Sequence, residues 1–459
     1  MSSELREALT VAGVGALVPK IIDAILVEYQ RRYSPLVASI PKVKWNSDVY
    51  YFNQRTQLAQ GGFVVDGGAV PVVNSTYVQN NFQIKHLQVV GAVTGYAQAV
   101  TQEVIGDLRQ TEIEGAVRGL TWDLETALLW ANSASTINGA RPQFDGLDSQ
   151  INIFSGANQN AQDKGGNTLT LAMLDELIDM VESNAAMAVF DDSWQMVMSN
   201  TAVSKISQLL QAQQRFMGQV EVAAGLIVPT YRDIPLVKSS FLSTKNVTFG
   251  TVTATPAATG GTLPASSTYK YVVTAVMARS GETIPCAEVS ATTSAGSTNA
   301  VALAFATPSG FEGASPTLYK VYRTIAGGAT GTETLLGYVD ATVGLAADGV
   351  TPILTTTITD TGTALVPSNG ATVPAVPPTV YVGTNAGYFP PAQGLESIYL
   401  HSRDKNNLVR PYVREFMPID IYPTTNAPDQ LPFALVDDTT LAIRAPKWAG
   451  RLNRVAVAV

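Results

Sequence analysis

A mixed α+β chain carrying an inserted all-β sandwich is the fold class that the sequence predicts. Three observations lead there. Residues 44–100 are rich in Val, Tyr, Phe and Gln and read as strands, and residues 102–131 carry a long helical periodicity. Between 247 and 378 the composition shifts: 27 Thr and only 11 charged residues, against 55 charged residues in the rest of the chain, about half the density elsewhere.

The elements follow in order. Residues 18–33 predict a short amphipathic helix, with Pro19 in its first turn and Ile21, Ile22, Ile25 and Leu26 at helical spacing. Pro35 and Pro41 break it, and 1–46 reads as an N-terminal arm. Two strand-like runs, 47–58 and 77–98, flank a tip containing Gly61-Gly62 and Gly67-Gly68, which predicts a long two-stranded ribbon over 47–98. An isolated ribbon is marginal in water, so it must lie on something else, such as another subunit.

The helix predicted over 102–131 is the centre of a 99–165 region. Val104, Ile105, Leu108, Ile113, Val117, Leu120, Leu124 and Leu128 form one face, with Thr101 as the cap. At 1.5 Å per residue it would run roughly 45 Å, with a bend allowed at Gly106, Gly115 or Gly119. Residues 166–246 predict an α/β unit. A helix spans 170–182, strands cover 187–190 and 194–198, and Asn200 caps a helix with Val203, Ile206, Leu209 and Leu210 inward. Two short strands around a turn close the unit. Within 247–378, TYKYVVTAVMA, AVALAFAT, TLYKVYRTI and TTTITDTG alternate with Gly/Pro/Ser turns, as in a β-sandwich, and Pro374, Pro377 and Pro378 form a stiff exit. Strands return in 379–459, so 247–378 interrupts a domain begun earlier.

Composition narrows the function. Of 459 residues, 46% are hydrophobic and 14% charged, well below the roughly 25% of an average globular protein. Such a surface suits coverage by partners or further copies of the chain. A net charge of −8 argues against a dedicated nucleic-acid binder. One cysteine, Cys286, excludes a disulfide framework, and two histidines, His86 and His401, leave little for a metal site. No run of 18 apolar residues marks a membrane span, and no secretory signal is expected.

No catalytic set stands out, and no cofactor or metal is expected. The pairs Asp191-Asp192 and Asp437-Asp438 read as solvated turns, since adjacent strand residues face opposite ways. Gly13-Val14-Gly15 lacks the third glycine and preceding strand of a nucleotide fingerprint. Trp122 and Trp130 read as packing, and Cys286 as a small buried filler. Arg444, Lys447, Arg451 and Arg454 read as salt-bridge partners between subunits.

The order of arm, ribbon, long helix, α/β unit and return strands resembles the major capsid protein family of tailed bacteriophages, the Hong Kong 97 phage-like fold. The resemblance rests on the arm around Val18-Pro19, the loop at 47–98 and the helix at 102–131. It also rests on FDGL at 144–147 and the closing IRAPKWAGRLNRVAV with its Ala445-Pro446 turn. The stretch 247–378 resembles immunoglobulin-like or fibronectin-III-like modules. The resemblance implies hexamers and pentamers closing into an icosahedral shell around double-stranded DNA, assembled in a bacterial host and lodged in the virion. Portal and decoration proteins would be partners. The ribbon tip, Phe63, Val64, Val65 and Asp66, would contact a neighbour, over a spine helix carrying Leu108, Val117 and Leu124.

Two departures from the family are expected. The first helix begins near residue 18, leaving no room for a long scaffolding segment and implying a separate scaffolding protein. The ribbon has no lysine between Ser47 and Asn81, with Lys44 and Lys85 at its base, so an isopeptide weld is not expected. Two other readings compete: an encapsulin-like compartment shell, and a tail or adhesin protein using the β module to bind surfaces or glycans. An enzyme is the least expected.

Overall fold

The computed structural model describes residues 34–66, 68–69, 73–102, 106–131, 133, 143–154, 160–164, 167–185, 189, 193–212, 218–223, 226–242, 249–277, 281–283, 285–309, 315–347, 352–363, 365, 395–421 and 429–457. The helix expected at 18–33, Val104 and Ile105, Asp191-Asp192, the strand at 187–190 (apart from Val189) and the Pro374–Pro378 exit lie outside these residues. The chain divides into two units. One contains 89–118 and 418–435; the other contains 32–88, 119–417 and 436–459.

The larger unit is built on a seven-stranded mixed sheet. Its order is 161–163, 449–456, 395–402, 194–198, 234–238, 226–231 and 218–223. Trp194–Met198 is buried at every position, as suits a central strand covered on both faces. Helix Leu171–Ala185 buries Leu174, Leu177, Ile178 and Val181, the positions expected from the sequence. Helix Asn200–Ala212 buries Val203, Ile206 and Leu210 in the same cluster. Its cap is Ser199 rather than Asn200: the Ser199 hydroxyl accepts from the Ala202 amide at 3.0 Å. Arg232 and Asp233, at φ 49° and 65°, form the two-residue turn joining Leu226–Tyr231 to Ile234–Lys238. Two left-handed residues match the twist of an antiparallel hairpin.

The arm enters this unit through a short helix, Pro35–Ser39, which buries Leu36 and Val37. Glu125, on the long helix, accepts the Leu36 amide at 3.1 Å and the Val37 amide at 2.9 Å. Burial pushes the Glu125 carboxyl up to about 8, against the pull of those two amides. Next, Lys42–Lys44 pairs in parallel with Leu408–Tyr412.

The long helix runs Leu108–Trp130, shorter than the expected 102–131. Gly106, at φ +79°, breaks the chain before it, and the Asp107 carboxylate accepts the Gln110 amide at 3.1 Å, so Asp107 rather than Thr101 is the cap. Thr101 instead ends a separate helix, Gly95–Thr101, and bonds back to the Ala97 carbonyl at 2.8 Å. In the smaller unit, the outer parts of strands Lys85–Thr94 and Gln430–Thr439 pair. A Cβ on Gly91 would fall 2.5 Å from the Phe433 ring, so glycine permits this approach.

The described residues of 249–365 form strands joined by turns and loops. A three-stranded sheet (252–257, 300–305, 357–360) faces a five-stranded one (281–282, 268–277, 316–323, 334–340, with 289–292 on 268–277). Phe305 meets Tyr319 across the gap at 4.9 Å, and Phe249 closes the aromatic group. Asp360, fully buried, accepts from the Tyr271 hydroxyl at 2.9 Å and from Arg323 at 2.8 Å. Cys286 is buried, its thiol pushed up to about 11 by that burial.

Candidate assembly interface

Strands Val49–Gln57 and Thr76–Gln83 form the ribbon, in register from Val49↔Gln83 to Arg55↔Tyr77, with a one-residue shift before Gln57↔Thr76. Its return strand ends at Gln83. The stretch 85–94, expected as ribbon, joins another sheet, and 95–101 is helical. The ribbon's root is anchored. Tyr50 and Phe82 pack with Val409 and Ala442, Trp45 meets Tyr50 edge-on at 4.8 Å, and Phe52 stacks on Phe82 at 5.8 Å.

The tip is the opposite. Phe63, Val64 and Val65 are 110%, 48% and 80% exposed, and Asp66 is exposed beside them. Their only defined local order is the turn closed by the Gly68 amide on the Val65 carbonyl at 2.8 Å. Around Gly61 and Gly62 an added Cβ would meet nothing within 4 Å. Tyr51, Leu58 and Tyr77, not singled out from the sequence, are further exposed apolar side chains of the ribbon, at 50%, 60% and 66% exposure. The alternation in VYYFNQRTQ was the available signal, since one face of a two-stranded ribbon must stay uncovered. Adjacent exposed apolar side chains such as Phe63, Val64 and Val65 are the kind of surface that marks an interaction site.

The three spine-helix positions differ in burial. Leu124 is completely buried; Leu108 and Val117 are half-buried. At 3.6 residues per turn Val117 and Leu124 share one side of the helix, whereas Leu108 falls on the opposite side, so the single face expected for all three does not hold. Toward its C-terminal end the helix is buried at Leu124, Glu125 and Thr126 and again at Leu128, Leu129 and Trp130, with Ala127 half-buried.

Charged groups expected at the surface are largely inside. Asp437 and Asp438 do face opposite ways on one strand, but neither is in a solvated turn. Asp437 is fully buried 3.7 Å from Arg410, and burial pushes it up to about 6. Asp438 pairs with Arg414 and with His86 at 2.7 Å. Arg451 is not free for another subunit: it is fully buried on Asp148. Arg444 lies 5.4 Å over the Tyr50 ring. His401 is buried against Gln195 at 2.9 Å, and desolvation lowers it to about 4. No described helix is long and apolar enough to cross a membrane.

Residues 26–254, half of the chain, match the family model described as SU10 major capsid protein. No curated protein matches. Among solved structures the chain is similar to the holo-SrpI encapsulin complex from Synechococcus elongatus PCC 7942, with TM-score 0.49, 10% identity and 98% of each chain covered. It is also similar to the capsid of the native GTA particle (0.48, 7%, covering 98% of this chain and 100% of that one) and to the capsid of Myoviridae phage XM1 (0.48, 6%, covering 95% and 97%). None of the three reaches 0.5, and the assignment does not rest on them. What carries it is the family match, over a stretch that takes in the ribbon, the long helix and the first part of the α/β sheet: the chain belongs to the SU10 major capsid protein family, a structural protein of the phage capsid and not an enzyme.

Proposed function

We propose that the chain builds an icosahedral phage head as hexamers and pentamers, each ribbon tip lying over a neighbour's spine helix, with double-stranded DNA enclosed and not read by sequence. The observation that carries this is the tip itself: Phe63 to Val65 are apolar, exposed and bounded by glycines, on a ribbon whose root alone is anchored. Many such contacts add up, because closing a ring converts later contacts into intramolecular ones. Locking is non-covalent. Of the lysines nearest the ribbon, Lys44 lies in the 42–44 strand and Lys85 bonds the Gln83 side chain at 2.5 Å, both at the root. The inserted module at 247–378, with its two antiparallel sheets, is read as immunoglobulin-like and as serving decoration or capsomer stabilisation. A separate scaffolding protein, a portal and decoration proteins are the expected partners.

Electron microscopy of purified particles, with a nuclease-protection assay for packaged DNA, tests the reading. Closed shells with protected DNA support it. Closed shells that hold a protein cargo and no DNA would convert it to a compartment. A chain that stays monomeric at high concentration with scaffolding protein present would sink it.

A further inference from the structure

In a free-standing two-sheet module, each sheet buries one face and shows the other to water. The five-stranded sheet here does not follow that rule. Along Pro316–Arg323, Leu318, Tyr319, Lys320, Val321 and Tyr322 are all buried. Pairing fixes which residues share a face: Val273↔Val321 and Ala275↔Tyr319 on one, Thr274↔Lys320 and Lys320↔Tyr338 on the other. The first face turns to the partner sheet, through Tyr319 on Phe305 and Phe249. The second carries a lysine that is only 4% exposed.

That lysine points at the capsid core. Lys320 Nζ lies 5.0 Å over the ring of Trp130, the last residue of the spine helix, and 5.9 Å from Tyr338. Trp130 meets Tyr399 edge-on at 6.0 Å, and the Tyr399 hydroxyl donates to Asp148 at 3.1 Å. Asp148 also holds Arg451. Burial would raise Asp148, but the charges of Arg451 and Lys320 and the Tyr399 hydroxyl hold it below the usual carboxylate range. Two cations, one from each side of the junction, therefore share one buried carboxylate. A lone buried ammonium is costly; an aromatic face and a nearby carboxylate are the surroundings that offset the cost.

We propose that the all-β module is docked rather than tethered: the Thr274–Lys320–Tyr338 face is a built-in interface whose partner is this chain's own capsid core, with Lys320 as the inserted cation and the Trp130–Asp148 corner as its receptor. The module then braces the C-terminal end of the spine helix and the start of helix Leu147–Phe154, which carries Asp148.

Hydrogen exchange of the full chain tests this. Lys320→Met keeps most of the stem and removes the charge. Exchange should rise about tenfold both in 316–323 and in 124–130 and 147–151, a fold-change in the range of one partly desolvated cation–π contact. Asp360→Asn, inside the module and away from the junction, should raise exchange in the module alone. Trp130→Leu reads the junction from the other side and should speed exchange in 316–323. The proposal is overturned if Lys320→Met affects the module alone, if Asp360→Asn disturbs 124–151 equally, or if Trp130→Leu leaves 316–323 unchanged.

Discussion

Phe63 separates subunit stability from assembly. Its side chain is wholly exposed and touches nothing in its own subunit that a smaller residue would leave empty. Phe63→Ala should therefore shift subunit stability by no more than about 0.5 kcal/mol, as surface substitutions do. Within a shell the same ring becomes buried on a neighbour, which contributes roughly 1.5–3 kcal/mol per contact. Losing about 2 kcal/mol corresponds to about a thirtyfold rise in the subunit concentration needed to assemble. Phe82→Ala, at the ribbon's root, is the contrast. That ring is 7% exposed and stacked on Phe52. Its loss should cost the subunit about 3–5 kcal/mol. Thermal melts of unassembled subunits, with light scattering over a concentration series, measure both quantities. The reasoning fails if Phe63→Ala melts several degrees lower, or if it assembles at the wild-type concentration.

Three further outcomes are expected. Glu125, raised to about 8, holds its proton more tightly folded than unfolded, so its contribution is complete below about pH 4.5 and is lost as pH rises through 8. Glu125→Gln should flatten that decline in denaturant titrations at pH 5, 7 and 9, while costing about 1 kcal/mol at pH 5 because an amide can accept on one side alone. His401, lowered to about 4, acts at the acid end: stability is complete above about 6.5 and falls as pH drops toward 4. His401→Gln should remove that part of the acid transition, and an unchanged acid midpoint would count against it. Asp360→Asn leaves Arg323 facing a neutral amide and should destabilise the β module by about 3–5 kcal/mol, read by calorimetry.

Much of the architecture was legible because it rests on periodicity. Leu174, Leu177, Ile178 and Val181 are buried as their spacing implied, and the described part of the Thr-rich stretch is built of strands. The end of the ribbon was not legible. Residues 85–94 continue the same alternation as 77–83, and the sheet they join involves strand 430–439, more than 300 residues away. The spine helix was overextended for a local reason. Gly106 was allowed a bend, whereas it stands at a left-handed φ immediately before Asp107, which caps the helix that follows. The fate of Asp437, Arg451 and Lys320 was hidden because burying a charge depends on a partner contributed from elsewhere in the sequence. At the tip, the exposure of Phe63, Val64 and Val65 is what the sequence made legible, since an apolar triplet between glycines has nothing local to pack on.

The Glu125 clasp bears on how the arm can change over time. The Glu125 carboxyl group holds Leu36 and Val37 by their amides, and Pro35, which has no amide hydrogen, makes these the first free donors of the short helix. The arm's position along the spine is thus read from its main chain, while its side chains answer only to the space around them. Substitutions at 36 and 37 that fill the same volume leave the alignment where it was. A proline at either position would remove the amide that Glu125 accepts, and with it that part of the alignment.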